Sequence, residues 1–304
     1  VEILKDLYFI ERGYLNANHF VFAGYPPVLI DTGYLGDYEE TVRRIEQTGA
    51  ALKEIQTIYT THIHCDHVGG NWNIHQRSGC DIQLHEIGRH FIETRDGWST
   101  WYRYLDQQAD YFPCSRSLKD GDEIEIGPHR FEVMHTPGHS ADGTVYYNRR
   151  EKLLISSDTL WEHDLAVHIV RVEGSAAVIH SLKSLDRLSQ LDVHTVCPGH
   201  GKIFTDFRGA LRRSRKRIES YLAEPARVGT DILKKIMVYT LLMHRHIEAE
   251  AFFDQLMKTI WFPETVDFYF EGAYRRKYDE IVEALLQKGA VQQIDGHLTT
   301  PVPP

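Results

Sequence analysis

Short apolar runs alternate with amphipathic stretches along the first two thirds of the chain. Asp37 and Glu40 form a capping pair ahead of apolar residues that recur at helical spacing up to Gly49. Apolar residues recur at the same spacing over 175–191, which predicts another helix. Extended segments are predicted at 7–10, 19–23, 28–30 and 55–59. The alternation predicts an α/β fold.

Four apolar runs end in a turn that carries a histidine or an aspartate. These residues are His62 after 55–59, His139 after 131–134, Asp158 after 153–155 and His200 after 193–196. In layered α/β proteins, ligands and catalytic groups collect at the C-terminal ends of strands. The pattern therefore predicts one shared site at these ends.

From about residue 206 the alternation gives way to helices. Helices are predicted from an Asp231 cap through Arg245, over 248–259 and over 273–288, and a hairpin over 290–299 turns at Asp295-Gly296. We therefore expect two domains, a layered α/β domain at 1–205 and a mostly helical, winged-helix-like module at 206–304.

Composition narrows the class of protein. At 304 residues, with 42% hydrophobic and 25% charged side chains, the chain has ordinary globular usage, and no apolar run reaches the roughly 20 residues of a membrane span. The N-terminus does not look like a signal peptide, and the four scattered cysteines fit a reducing compartment. We expect a cytoplasmic protein.

The net charge of −9 lies in the first part of the chain. Residues 1–205 carry 29 acidic and 19 basic side chains, which disfavours nucleic acid as a partner. A basic cluster over 208–217 is the exception, and it fits either a solvated helix face or a nucleic-acid contact. The sequence does not predict the oligomeric state, and a homo-oligomer is compatible with it.

Candidate metal ligands are most concentrated in the segment His62-Ile63-His64-Cys65-Asp66-His67. Imidazole nitrogens suit zinc and other first-row ions, and carboxylates add charge that helps to hold two ions together. If the segment is locally extended, His62 and His64 point the same way, and a following turn aims Asp66 and His67 at a second ion. Cys65 then faces away as a buried small residue.

This segment resembles the metal-ligand motif of the metallo-β-lactamase superfamily. The resemblance covers about 5–205 and continues with His139 in Thr-Pro-Gly-His-Ser, Asp158 in Ser-Ser-Asp-Thr-Leu and His200 in Pro-Gly-His-Gly. It implies an αβ/βα sandwich. It also implies one ion on His62, His64 and His139, a second on Asp66, His67 and His200, and Asp158 as the bridging ligand. Within the superfamily, the chain looks more like glyoxalase II-type hydrolases and relatives that carry a C-terminal winged-helix extension.

The sequence differs from three branches of the superfamily. Asp158 stands where antibiotic-destroying lactamases commonly have a Cys or Ser ligand, which argues against β-lactam hydrolysis. His64 replaces the Glu of the flavin-linked diiron relatives. No basic patch matches the glutathione clamp of glyoxalase II.

The resemblance implies a hydrolase with two divalent metal ions, zinc first, with manganese or iron also suited to these ligands. Two ions roughly 3.5–4 Å apart activate a bridging hydroxide. Asp66 is the predicted catalytic residue, which would orient this hydroxide and carry its proton to the leaving group. We expect a small-molecule thioester, lactone or ester as the substrate.

The alternatives are a single-stranded RNA endonuclease of the same superfamily and a binding protein without turnover, although no ligand position is lost. Tyr34 and His163 are candidate substrate contacts. The aromatic stretch 98–112 predicts either a lid over the substrate or a helix that faces the core.

Overall fold

The computed structural model describes residues 1–304. A seven-stranded sheet, ordered as its strands follow along the chain, forms the first half of the α/β part. Its strands are β1 (Glu2–Leu4), β2 (Leu7–Ile10), β3 (His19–Phe22), β4 (Val28–Ile30), β5 (Thr57–Tyr59), β6 (Asp81–His85) and β7 (Arg116–Leu118). Its helices are α1 (Tyr38–Gln47), α2 (Cys65–Val68), α3 (Asn71–Ser78) and α4 (Glu86–Glu93).

A second sheet of five strands has the order β12-β11-β10-β9-β8. These strands are β8 (Glu123–Ile126), β9 (His129–His135), β10 (Thr144–Asn148), β11 (Leu153–Ser157) and β12 (Thr195–Pro198), with helices α5 (Val170–Glu173) and α6 (Ala177–Leu188). Phe9 and Phe20 of the first sheet share an apolar layer with Phe131 and Ile155 of the second. Helices cover the outer faces, so the predicted αβ/βα sandwich is confirmed.

Five helices and a small three-stranded sheet form the C-terminal region. They are α7 (Phe207–Ala223), α8 (Ala226–His244), β13 (Ile247–Glu248), α9 (Ala249–Leu256), α10 (Trp261–Phe270), α11 (Tyr274–Gln287), β14 (Gln292–Ile294) and β15 (His297–Thr299). The hairpin at Asp295-Gly296 forms as predicted. The expected start of a helix at Asp231 is wrong, because α8 begins at Ala226 and Asp231 lies within it, paired with Lys235.

The largest apolar cluster contains residues from both sides of position 205. Leu15 and Trp101 belong to it together with Leu233 and Trp261. Helix α7 begins at Phe207, close to the predicted boundary, which stays a prediction. None of the helices combines the length and the apolar character that crossing a membrane needs.

His19 on β3 is fully buried, and neither ring nitrogen has a hydrogen-bond partner. Burial, with the nearby charge of Arg12, lowers its pKa to about 3. The unfolded chain therefore binds a proton that the folded chain does not, and stability falls as the pH drops below about 6.5. We expect this one group to cost about 2 kcal/mol of unfolding free energy between pH 7 and pH 5.

Urea unfolding measured across this pH range checks the expectation. His19→Leu should flatten the loss of stability on acidification, whereas His194→Leu, at an exposed histidine, should leave it as in the wild type. Equal slopes for the wild type and His19→Leu would show that His19 does not cause the loss.

Candidate metal centre

The predicted strand ends meet at one edge of the sandwich. β11 and β12 are parallel neighbours and pair Ser157 with Pro198, so Asp158 and His200 leave the sheet side by side. A Cβ at position 199 would collide with Asp158 Oδ1, so glycine is required there. The Thr61 carbonyl accepts hydrogen bonds from the Thr144 backbone N–H and hydroxyl, which ties the turn after β5 to the second sheet.

The first group of side chains consists of His62, His64 and His139, which offer ring nitrogens that lie within 4.8 Å of one another. His64 Nδ1 lies 3.0 Å from His139 Nε2. Ligand atoms at about 2 Å from one tetrahedral ion lie a little over 3 Å apart. The spacing is therefore that of ligands around one ion.

The second group consists of Asp66, His67, Asp158 and His200, whose ligand atoms also lie within 4.8 Å of one another. Asp158 Oδ2 lies 3.6 Å from His67 Nε2 and 3.9 Å from His200 Nε2. The same oxygen lies 3.4 Å from His139 Nε2, which belongs to the first group. One carboxylate oxygen thus contacts both groups.

Backbone carbonyls and a carboxylate hold the far sides of these rings. His139 Nδ1 lies 2.7 Å from the Val167 carbonyl and His200 Nδ1 lies 3.0 Å from the Gly13 carbonyl. His67 Nδ1 lies 2.8 Å from Oδ2 of Asp31, a residue at the end of β4. An acceptor at Nδ1 keeps the hydrogen there and leaves Nε2 free to bind a metal.

The donor set fits a metal. His62 Nε2 and His67 Nε2 are buried and have no hydrogen-bond partner, which is costly unless a ligand satisfies them. Burial holds the pKa of His62 well below its usual value, so the ring is neutral, as a metal ligand must be. Burial alone would raise the pKa of Asp158, but His200 and His67 beside it bring that pKa well below its usual range.

Residues of helix α8 and of the loop after α4 cover the cluster of ligand side chains. Trp101 stacks on His64 with ring centroids 3.4 Å apart, and Tyr239 and Ile236 of α8 line the same small cavity. The cavity measures about 30 Å³, which holds one or two water molecules but no organic substrate. The C-terminal region therefore forms part of the wall of the site.

A larger groove lies directly outside this cavity. It measures about 460 Å³ and shares Tyr14, Trp161 and His200 with the cavity. His163 lines the groove and is exposed, close to the carboxylate of Glu162. Tyr34 does not line either space, because its hydroxyl lies 3.6 Å from Met243 Sδ at the end of α8.

Three features of the site bear on what the sequence left open. Residues 98–112 form turns and loop and no helix, and Trp101 within them takes a left-handed backbone conformation and stacks its ring on His64. Cys65 is buried and its Sγ donates to the Thr100 carbonyl, facing away as expected. The contacts of Asp31 and Trp101 with the cluster lie far from the motif in sequence, and no motif predicted them.

Most of the basic cluster at 208–217 is paired. Arg213 binds Asp206, Arg215 binds Asp186, and Arg217 binds Asp164 and Asp231. Arg208 donates to the carbonyls of Ser189 and Leu191. These side chains hold α7 against neighbouring elements, so they do not present a free basic surface.

Comparison with known proteins agrees with this fold. The sequence profile of the metallo-beta-lactamase superfamily matches residues 20–200. A hydroxyacylglutathione hydrolase of Rhizobium etli is 30% identical over 173 residues, which are 56% of this chain and 59% of that protein. A hydroxyacylglutathione hydrolase of Brucella ovis is 33% identical over 130 residues, or 42% of each chain. The chain thus spans less than two thirds of these relatives' length.

One solved structure is similar in fold over nearly the whole chain. The metallo-beta-lactamase family protein from Thermus thermophilus superposes with a TM-score of 0.63 at 20% identity, covering 98% of this chain and all of that one. The similarity of fold therefore includes the helical C-terminal region as well as the sandwich.

Proposed function

Because this chain belongs to the metallo-β-lactamase superfamily, we propose that it is a metal-dependent hydrolase of a small-molecule thioester, lactone or ester. The observation that carries the proposal is the convergence of seven buried ligand side chains into two adjoining groups. Similarity to the hydroxyacylglutathione hydrolases, whose name denotes a thioester substrate, supports the choice of acyl chemistry.

Two divalent ions fit the two groups of ligands, and zinc is the first choice of ion. His62, His64 and His139 would hold one ion, and Asp66, His67 and His200 the other. Asp158 would bridge them, since its Oδ2 contacts histidines of both groups. When bound, such a pair supplies Lewis acidity and makes water reactive near neutral pH.

The protein's own side chains would orient the reactants and move the proton. Asp66 lines the cavity and lies 3.1 Å through Oδ2 from His200 Nε2. It would accept the proton of the attacking water and deliver it to the leaving group. Tyr239, Ile236 and Trp101 would exclude other water from the reacting atoms.

The outer groove indicates a small substrate. Its 460 Å³ falls within the range of small-molecule sites, and it meets the metal cluster between Tyr14 and Trp161. The bulk of the substrate would lie in the groove, with His163 as a contact, and the scissile bond would reach inward past His200. Tyr34 stays a predicted substrate contact, although its hydroxyl lies against Met243 of α8 and not in the groove.

The single-stranded RNA alternative lacks support in the charge distribution. Its sequence evidence was the basic cluster at 208–217, whose arginines 213, 215 and 217 are paired with aspartates. In a second basic segment, 275–277, Arg275 pairs with Asp279 and Lys277 with Glu280. RNA binding would need such charges free to release counterions from phosphates.

A turnover screen of the zinc-loaded protein tests the proposal. Thioesters, lactones, esters and a single-stranded RNA are assayed in parallel, and the metal content of the same preparation is measured by elemental analysis. We expect close to two ions per chain and turnover of at least one acyl substrate. Cleavage of RNA alone, or a protein that holds no metal, would contradict the proposal.

A further inference from the structure

His64 differs from the other four histidines of the cluster. A protein acceptor faces the outer nitrogen of the others, namely a carbonyl at His139 and His200, the Asp31 carboxylate at His67, and the hydroxyl oxygens of Thr61 and Ser157 at His62. His64 turns Nδ1 toward His139, so its Nε2 points out of the cluster. That nitrogen is buried and has no hydrogen-bond partner.

The polar group in front of this nitrogen is the carboxylate of Glu173, the last residue of α5. Oε1 of Glu173 lies 3.5 Å from His64 Nε2, and the side chain is only 4% exposed. Oε2 accepts a hydrogen bond of 2.8 Å from the Ala141 backbone N–H, which fixes the carboxylate two residues from His139. Oε1 has no hydrogen-bond partner.

We propose that Glu173 is a positioning residue that accepts the Nε2–H of His64 and so presents Nδ1 to the metal. The inference rests on the proposed metal site. A buried N–H and a buried carboxylate oxygen that face each other, both otherwise unsatisfied, are costly apart and favourable together. The 3.5 Å separation is longer than an ordinary hydrogen bond, so the two atoms must come closer for the pairing to form when an ion is held.

The Trp101 ring restricts the movement that this pairing needs. It lies on the face of His64 at 3.4 Å between centroids and at 18° between planes, so tilting the imidazole would make the two rings collide. Ring stacking and the carboxylate thus act on the same side chain.

Two substitutions at one position separate positioning from packing. Glu173→Gln keeps an acceptor oxygen at similar volume, whereas Glu173→Leu keeps the volume and removes the acceptor. We expect Glu173→Leu to bind zinc about 10–100-fold more weakly in competition with a chelator, and Glu173→Gln to retain most of the affinity. The visible spectrum of the cobalt-loaded Leu variant should also change, because one ligand is less well oriented.

Asp142→Asn is the matched control, since Asp142 is a fully buried acid near Glu173 that accepts from Ser140 and contacts no histidine of the cluster. It should bind zinc as the wild type does. If Glu173→Leu binds as tightly as the wild type, or if Asp142→Asn weakens binding equally, the role of Glu173 is refuted. A wild-type protein that binds no zinc refutes the metal site itself.

Discussion

Replacing Asp158 by alanine is expected to remove bound metal and to lower kcat/KM by about a thousandfold, roughly 4 kcal/mol of transition-state stabilisation. Oδ2 of Asp158 lies 3.4 Å from His139 Nε2 and 3.6 Å from His67 Nε2, so its loss affects both groups. It also removes negative charge that two adjacent cations require. Elemental analysis and turnover of the best acyl substrate measure the effect.

The control for this variant is Asp254→Ala, an exposed aspartate on α9. It changes the formal charge of the protein equally and should keep both ions and full turnover. An Asp158→Ala protein that still holds two ions per chain would show that the histidines suffice and that the carboxylate does not bridge.

A second large effect, on stability, is expected at a buried ion pair within α8. Asp231 and Lys235 are each 9% exposed, and their charged atoms lie 2.8 Å apart. Lys235 also donates to the Leu165 carbonyl. Asp231→Ala leaves the buried ammonium without its main partner, which should cost about 3 kcal/mol of unfolding free energy, measured by urea titration.

A double variant distinguishes buried charge from lost packing. Asp231→Leu combined with Lys235→Met removes both charges and keeps apolar volume at the interface with the sandwich. It should recover most of the stability lost in Asp231→Ala, because the buried ammonium is gone and Arg217 keeps Asp164 as its partner. An Asp231→Ala protein that unfolds at the wild-type urea concentration would show that solvent reaches the ammonium freely.

The sequence was most informative where chemistry depends on neighbours along the chain. The His-x-His-x-Asp-His spacing and the strand-end positions of His139 and His200 were sufficient to predict which side chains converge. Asp31 and Glu173 face the cluster through tertiary contacts alone. A lone acidic residue at a strand or helix end has no pattern that distinguishes it from a solvated one.

The errors in the C-terminal region have a related cause. An aspartate directly before apolar residues at helical spacing is typical of a helix cap, yet the Asp231 carboxylate lies inside α8 and pairs with Lys235. Helix α10 was not among the predicted helices; it contains Pro263 in its first turn, where the missing N–H would be unpaired in any case. Tertiary pairing and position within the helix decided both cases.

The apolar cluster that contains both Leu15 and Leu233 makes the two parts of the chain interdependent. A fragment cut after residue 205 would expose the surface that α8 and α10 now cover, and it would tend to self-associate. Heat should accordingly melt sandwich and helices in a single cooperative event. Exchanging the helical region between relatives to alter specificity would therefore require redesign of the apolar interior that the two parts share.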